Sequence, residues 1–176
     1  MRVITGKAKK TKLISLDYRT VPLSDRAKSA LFEIIHEKIH GSRVLDLYAG
    51  SGALGIEALS RGAEHATFID ISYKAIDSIK QNLQRTHLEE QGSVVRFDVE
   101  NFLQNENNEK YDLIFFSPPY PEVKFYPLKL AAQCLNAYGI LVFEHSKKDS
   151  FKELKDLEKI DTRTYGRVMF ELYQNI

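Results

Sequence analysis

The sequence predicts an α/β domain in which a mostly parallel sheet is covered by helices on both faces. Three observations carry that prediction. From residue 43 onward, short apolar runs alternate with stretches of helical periodicity, the pattern of strand–helix–strand crossovers. The run Leu113-Ile114-Phe115-Phe116 is unbroken, as in a strand buried on both faces. The chain has 176 residues, 43% hydrophobic and 28% charged, enough to bury roughly 70% of its unfolded surface in one core.

Element by element, Val44-Leu45-Asp46-Leu47-Tyr48 reads as the first strand and Ala53 to Arg61 as the helix after it, with Leu54, Ala58 and Leu59 on one side. Ala66-Thr67-Phe68-Ile69-Asp70 is the second strand. The helix from Tyr73 to Thr86 places Ile76, Ile79 and Leu83 at helical spacing. Val94-Val95-Arg96-Phe97 is the third strand and Asp112 to Phe116 the fourth. A helix from Leu128 to Asn136 leads through Gly139 to the fifth, Ile140-Leu141-Val142-Phe143. A polar helix over 149–156 is expected next. A pair of strands joined at Tyr165-Gly166 then completes seven, the last of them antiparallel at the edge. Ahead of the sheet, 2–7 and 11–16 are strand-like pieces around a basic turn, and Ser24 is a suitable N-cap for a helix from Asp25 that aligns Ala27, Leu31 and Ile34. The organisation expected is a basic N-terminal hairpin extension over 1–22 and a single domain over 23–176.

Charge is unevenly placed. The first 28 residues hold eight basic and two acidic side chains, and the other 148 hold 17 basic and 22 acidic. A basic arm on a mildly acidic body suits a polyanion such as nucleic acid, with Lys7, Lys9, Lys10, Lys12, Arg19 and Arg26 as the candidate contacts. A solvated lysine-rich terminus gives the same composition. No apolar run approaches the ~20 residues of a membrane span, and residues 1–6 lack the apolar stretch of a secretory leader. A single cysteine, Cys134, excludes an internal disulfide, so a cytoplasmic setting is expected.

Glycines 50, 52 and 55 follow the first strand and open a helix. Such spacing lets the backbone turn tightly and approach a ligand. The spacing is also that of a dinucleotide fingerprint, and Asp70, 20 residues beyond Gly50, stands where a ribose-binding acid belongs. Asp70 does not choose between NAD and S-adenosylmethionine, since both carry an adenosine ribose. Asp46 is a charge inside an apolar strand. Its burial would cost several kcal/mol unless paired, with a cationic ligand or with backbone donors of the loop. Asp98 ends the third strand as Asp70 ends the second. It suits either an adenine amine, with Val99 against the ring, or the cap of a following helix.

Phe115-Phe116-Ser117-Pro118-Pro119-Tyr120 discriminates. Two prolines remove two backbone donors and leave carbonyl acceptors beside an aromatic plane. An exocyclic nucleobase amine needs that arrangement. The base stacks on Tyr120 at ~1–3 kcal/mol per base, while its amine donates to Ser117 Oγ and the Pro118 carbonyl. Alignment then supplies up to ~7–11 kcal/mol.

The order of glycine loop, acidic second and third strands and x-Pro-Pro-aromatic resembles the class I S-adenosylmethionine-dependent methyltransferases of exocyclic amines. More narrowly, the chain resembles the RsmD family of 16S ribosomal RNA (guanine-N2)-methyltransferases. The likeness runs from Arg2-Val3-Ile4-Thr5-Gly6-Lys7 and Ser24-Asp25-Arg26, through the block Leu45 to Ala63, to Tyr165-Gly166. It implies a Rossmann-like class I methyltransferase fold and methyl transfer to a guanine 2-amino group in small-subunit ribosomal RNA or an assembling subunit, with S-adenosylhomocysteine as product. It implies cofactor contacts at Asp46, Gly50, Gly52, Asp70 and Asp98, with Ala49, Ser51, Ile71 and Val99 beside them, and a target-amine site from Ser117 to Tyr120. Two departures stand out. Ser117 replaces the family's usual acid, and a hydroxyl cannot take charge at neutral pH as a carboxylate can. Val21-Pro22-Leu23 stands where the family tends to have Arg-Pro-Thr.

Other signals are weaker. His36 and His40 lie four apart, but no third ligand is evident, so no metal is expected. Glu144-His145-Ser146 lacks a nucleophile elbow. Competing functions are a methyltransferase of another nucleic acid or protein amine, a nicotinamide-dependent oxidoreductase, which the Ser-Pro-Pro-Tyr stretch and Asp46 oppose, and a catalytically weak RNA-binding assembly factor.

Overall fold

The computed structural model describes residues 1–16, 23–105, 109–119, 123–152 and 154–176. Seven strands form one sheet: β1 (Arg43–Leu47), β2 (His65–Asp70), β3 (Gly92–Arg96), β4 (Tyr111–Phe116), β5 (Leu135–Ser146), β6 (Glu158–Tyr165) and β7 (Val168–Gln174), in the spatial order β3-β2-β1-β4-β5-β7-β6. The first five run parallel, β7 is antiparallel to β5, and β6 is antiparallel to β7. The helices are α1 (Asp25–Ile34), α2 (Ala53–Ser60), α3 (Tyr73–Thr86), α4 (Val99–Leu103) and α5 (Phe125–Gln133).

Alternation along the strands divides the core in two. Val44, Phe68, Leu113, Phe115 and Val142 pack with Phe32 of α1, Ile56 of α2 and Ile79 of α3. Leu45, Leu47, Ile114, Phe116 and Phe143 pack with Leu103 of α4 and Leu128 of α5. The strand period of two sends neighbours to opposite faces. Both faces are therefore covered, and the chain reverses direction across the sheet between β1 and β4. Ligands of open α/β sheets bind at such a switch point, beyond the carboxyl ends of the strands.

The N-terminal hairpin is short: one antiparallel bridge joins Arg2 and Lys12 around a turn over 5–10, with the Val3 amide donating to the Thr11 carbonyl at 3.0 Å and the Leu13 amide to the Met1 carbonyl at 3.1 Å. Its apolar residues Val3, Ala8 and Leu13 also join the first core cluster. Several other expectations are corrected. The polar helix expected over 149–156 is absent from the described residues there. Phe151 stands edge-on to Phe143 with ring centroids 5.1 Å apart and Leu154 is buried, so packing rather than a helix nucleus holds a segment too short to be helical by itself. The last strand is not at the edge: β7 inserts between β5 and β6 because Phe170 and Leu172 are buried, whereas β6 is mostly exposed. Asp98 caps α4, accepting the Asn101 amide at 2.9 Å. Helix α5 begins at Phe125, ahead of the expected Leu128, and tolerates Pro127 in its first turn.

Candidate active site

The loop from Tyr48 to Gly52 connects β1 to α2. Gly50 and Gly52 both adopt positive φ, at 57° and 75°. Gly52 is the left-handed N-cap of α2, and a Cβ there would come within 3.2 Å of Ile79. Asp70 holds the loop from the end of β2: one carboxylate oxygen accepts the Gly50 amide at 2.9 Å and the other accepts the Ser72 amide at 2.9 Å. Beneath the loop lies Asp46, 2% exposed, accepting the Gly55 amide at 2.9 Å. Burial, with the negative charges of Asp70 and Glu144 added, lifts its carboxyl to about 8. The Gly55 amide opposes that rise and does not cancel it.

Asp46, Tyr48, Ala49, Gly50, Ser51, Ser117 and Pro118 line one cleft of about 150 Å³. The sheet brings them together. Asp46 pairs in register with Phe115, so the carboxyl end of β4 delivers Ser117 and Pro118 beside the loop that follows β1. Ser117 is half-buried, Pro118 buried and Pro119 exposed. Tyr120 and Arg19, both expected at the site or the nucleic-acid contact, lie outside the described residues, as do Val21 and Pro22. Ile71 is 61% exposed just past β2, while Val99 is buried in the second core cluster. Tyr48, at positive φ, sets its ring edge-on to Phe116 with centroids 5.3 Å apart. Its hydroxyl is pushed up to about 12 by burial and by Asp98 and Glu100.

Three supports were missed in the sequence. Asn82, 0% exposed in the middle of α3, donates to the Ser51 carbonyl at 2.9 Å and to the Ile14 carbonyl at 3.0 Å, tying the glycine loop to the N-terminal segment. Glu57, also 0% exposed, accepts the Ile4 and Thr5 amides and pairs with Lys28 at 3.0 Å and Arg61 at 2.9 Å. Glu144, beside Ser117 in the cleft, accepts the Ser117 hydroxyl at 3.1 Å. An uncharacteristically polar position at 82 and an acid inside the apolar helix 53–60 were the available signals; the partners are distant in sequence.

The basic residues are divided. Lys7, Lys9, Lys10 and Lys12 are exposed, but the Lys7 amide donates to the Ser60 carbonyl at 2.7 Å. This fixes the basic turn at the far end of α2 from the glycine loop, about 12 Å away for a helix of eight residues. Arg26 is exposed near the β6–β7 turn, beside Tyr165 and Gly166.

Strand order, glycine loop and cleft at the switch point together are the class I methyltransferase fold. The chain belongs to the family described as Conserved hypothetical protein 95, which it matches over residues 1–174. It is 38% identical to the Bacillus subtilis protein YlbH, over 99% of this chain and 98% of that protein. It is 33% identical to Ribosomal RNA small subunit methyltransferase D of Haemophilus influenzae, over 99% and 94%. Among solved structures, the Escherichia coli protein yhhF superposes with a TM-score of 0.89 at 27% identity, covering 99% of this chain and 97% of that one.

Among the described residues no group of His, Cys, Asp and Glu could hold a metal ion, and no helix is long and apolar enough to cross a membrane.

Proposed function

We propose that this chain transfers the methyl group of S-adenosylmethionine to the exocyclic 2-amino group of a guanine in small-subunit ribosomal RNA. One observation carries the reading: Ser117 and Pro118 share a cleft with the glycine loop and Asp46, in a chain related over its length to a small-subunit ribosomal RNA methyltransferase. The residues present suit the cofactor. Asp46 is a buried carboxyl that a sulfonium or ammonium group would stabilise as the anion. Asp70, whose two oxygens each hold one amide, keeps lone pairs for ribose hydroxyls. Ile71 and the free acceptor capacity of Asp98 suit the adenine. When bound, the cofactor supplies the electrophilic methyl and its leaving group, so the chain's own residues align, desolvate and accept a proton.

At the target end, Ser117 Oγ and the Pro118 carbonyl accept from the amine, and Tyr120 supplies the stacking plane. We take residues 1–22 as a basic extension of the domain over 23–176. Lys7, Lys9, Lys10, Lys12, Arg19 and Arg26 then neutralise RNA phosphates, and the cytoplasm is the compartment. The test is to incubate the protein with methyl-labelled S-adenosylmethionine and small ribosomal subunits that lack this modification, then digest the RNA. Label on the 2-amino group of one guanine supports the reading. Label on another nucleoside or on protein moves the substrate. No label, in protein that binds the cofactor, supports an assembly factor instead.

A further inference from the structure

Glu144-His145-Ser146 lacks a nucleophile elbow, yet the fold carries Glu144 to the reacting end of the sheet. Phe116 of β4 pairs with Phe143 of β5, so Ser117 and Glu144 are the next pair along, on the face that also carries Asp46. Ser117 Oγ donates to Glu144 Oε2 at 3.1 Å, and both residues line the cleft with Pro118. A hydroxyl has one proton and two lone pairs. A proton given to Glu144 leaves the serine oxygen as an acceptor facing the cleft, the role an amine requires. Asp46 of β1, Tyr48 of the loop after it, Lys28 of α1 and Met1 of the N-terminal segment share this cleft. The Lys28 ammonium is engaged by Glu57 at 3.0 Å and by the Arg2 carbonyl at 2.6 Å.

We propose that Glu144 is a positioning residue for the target amine and the final acceptor of its proton, acting through Ser117. This rests on the amino-methyl transfer proposed above. The amine nitrogen uses its lone pair to form the new N–C bond while the S–C bond breaks and leaves its electron pair on sulfur. The nitrogen then holds one proton too many. That proton passes to Ser117 Oγ as the serine proton passes to Glu144 Oε2. Serine ends unchanged and Glu144 ends neutral, to be deprotonated by solvent. The carboxylate that Ser117 lacks is thereby supplied from the neighbouring strand.

The test compares Glu144→Gln with wild type. Glutamine still accepts the Ser117 hydroxyl but cannot take a proton. Loss of general-base help lowers kcat by about 100-fold, with KM for RNA unchanged and S-adenosylhomocysteine binding retained as the check on folding. The rise of kcat with pH across carboxylate titration disappears. Adding Ser117→Asp to Glu144→Gln places a carboxylate at the amine and recovers most of the rate. In ligand-free protein, carboxyl NMR shows the Asp46 titration shifting downward in Glu144→Gln, because a neighbouring negative charge is gone. An active wild type with an equally fast Glu144→Gln, or an unmoved Asp46 titration, overturns the role of Glu144 alone. A wild type that labels no guanine overturns the proposed function instead.

Discussion

Asp46 concentrates the electrostatics of the site. Its carboxyl is lifted to about 8 in the folded chain, chiefly by burial, against an ordinary 3.8. Between those values the folded state holds a proton that the unfolded state has released. The contribution of Asp46 to stability therefore falls as pH rises from about 4 to about 8 and is level above. Asp46→Asn should flatten that part of the stability–pH curve, read as the difference between wild-type and variant urea midpoints across the window. A cation seated beside Asp46 expels the proton, so S-adenosylmethionine binding at pH 7 should release one. Calorimetry in buffers of different ionisation enthalpy measures it, and Asp46→Asn should abolish it. Lys28 is a second buried charge, 0% exposed and paired with Glu57. Lys28→Ala leaves Glu57 with Arg61 and the Ile4 and Thr5 amides but removes a charged hydrogen bond, and should cost about 1.5–3 kcal/mol by denaturant titration. Asp46 was legible because a charge interrupts an apolar strand. Lys28, Glu57, Asn82 and Glu144 were not legible in their roles, because most of their partners lie on other elements, distant in sequence.

At the scale of elements, the strands and their order of appearance could be read from periodicity, and the glycine loop from its spacing. The helix over 73–86 matched to the residue, because Ser72 caps it and His87 ends it in the left-handed region. What periodicity hid was partnership. Residues 168–173 are plainly more apolar than 158–165, and that contrast, rather than chain order, decides which strand goes inside. The N-terminal segment is held by one close fit: a Cβ on Gly6, at φ +88°, would stand 1.7 Å from the Ser60 carbonyl oxygen. Gly6→Ala must therefore lift the turn off α2. We expect faster proteolysis within residues 1–16, with the sheet intact by far-UV circular dichroism.

Over the whole molecule, the basic turn and the cleft sit at opposite ends of α2, so a bound polyanion must extend along one side of the domain to meet both. Replacing Lys7, Lys9 and Lys10 with Gln should weaken RNA binding with little change in kcat. The slope of log affinity against log salt should fall by about 0.9 for each duplex phosphate lost, less for single strands. An unchanged slope would remove the turn from the RNA path. The placement of β7 has a separate consequence for how the molecule is made. Strand β6 leaves the ribosome first but pairs only with β7. Until residues 168–174 emerge, 158–165 have no place in the sheet, and the β5 edge that 168–174 must eventually cover stays open. Closure of the fold waits until residues 168–174 have been made. In that interval the growing chain presents its stickiest edge to other chains.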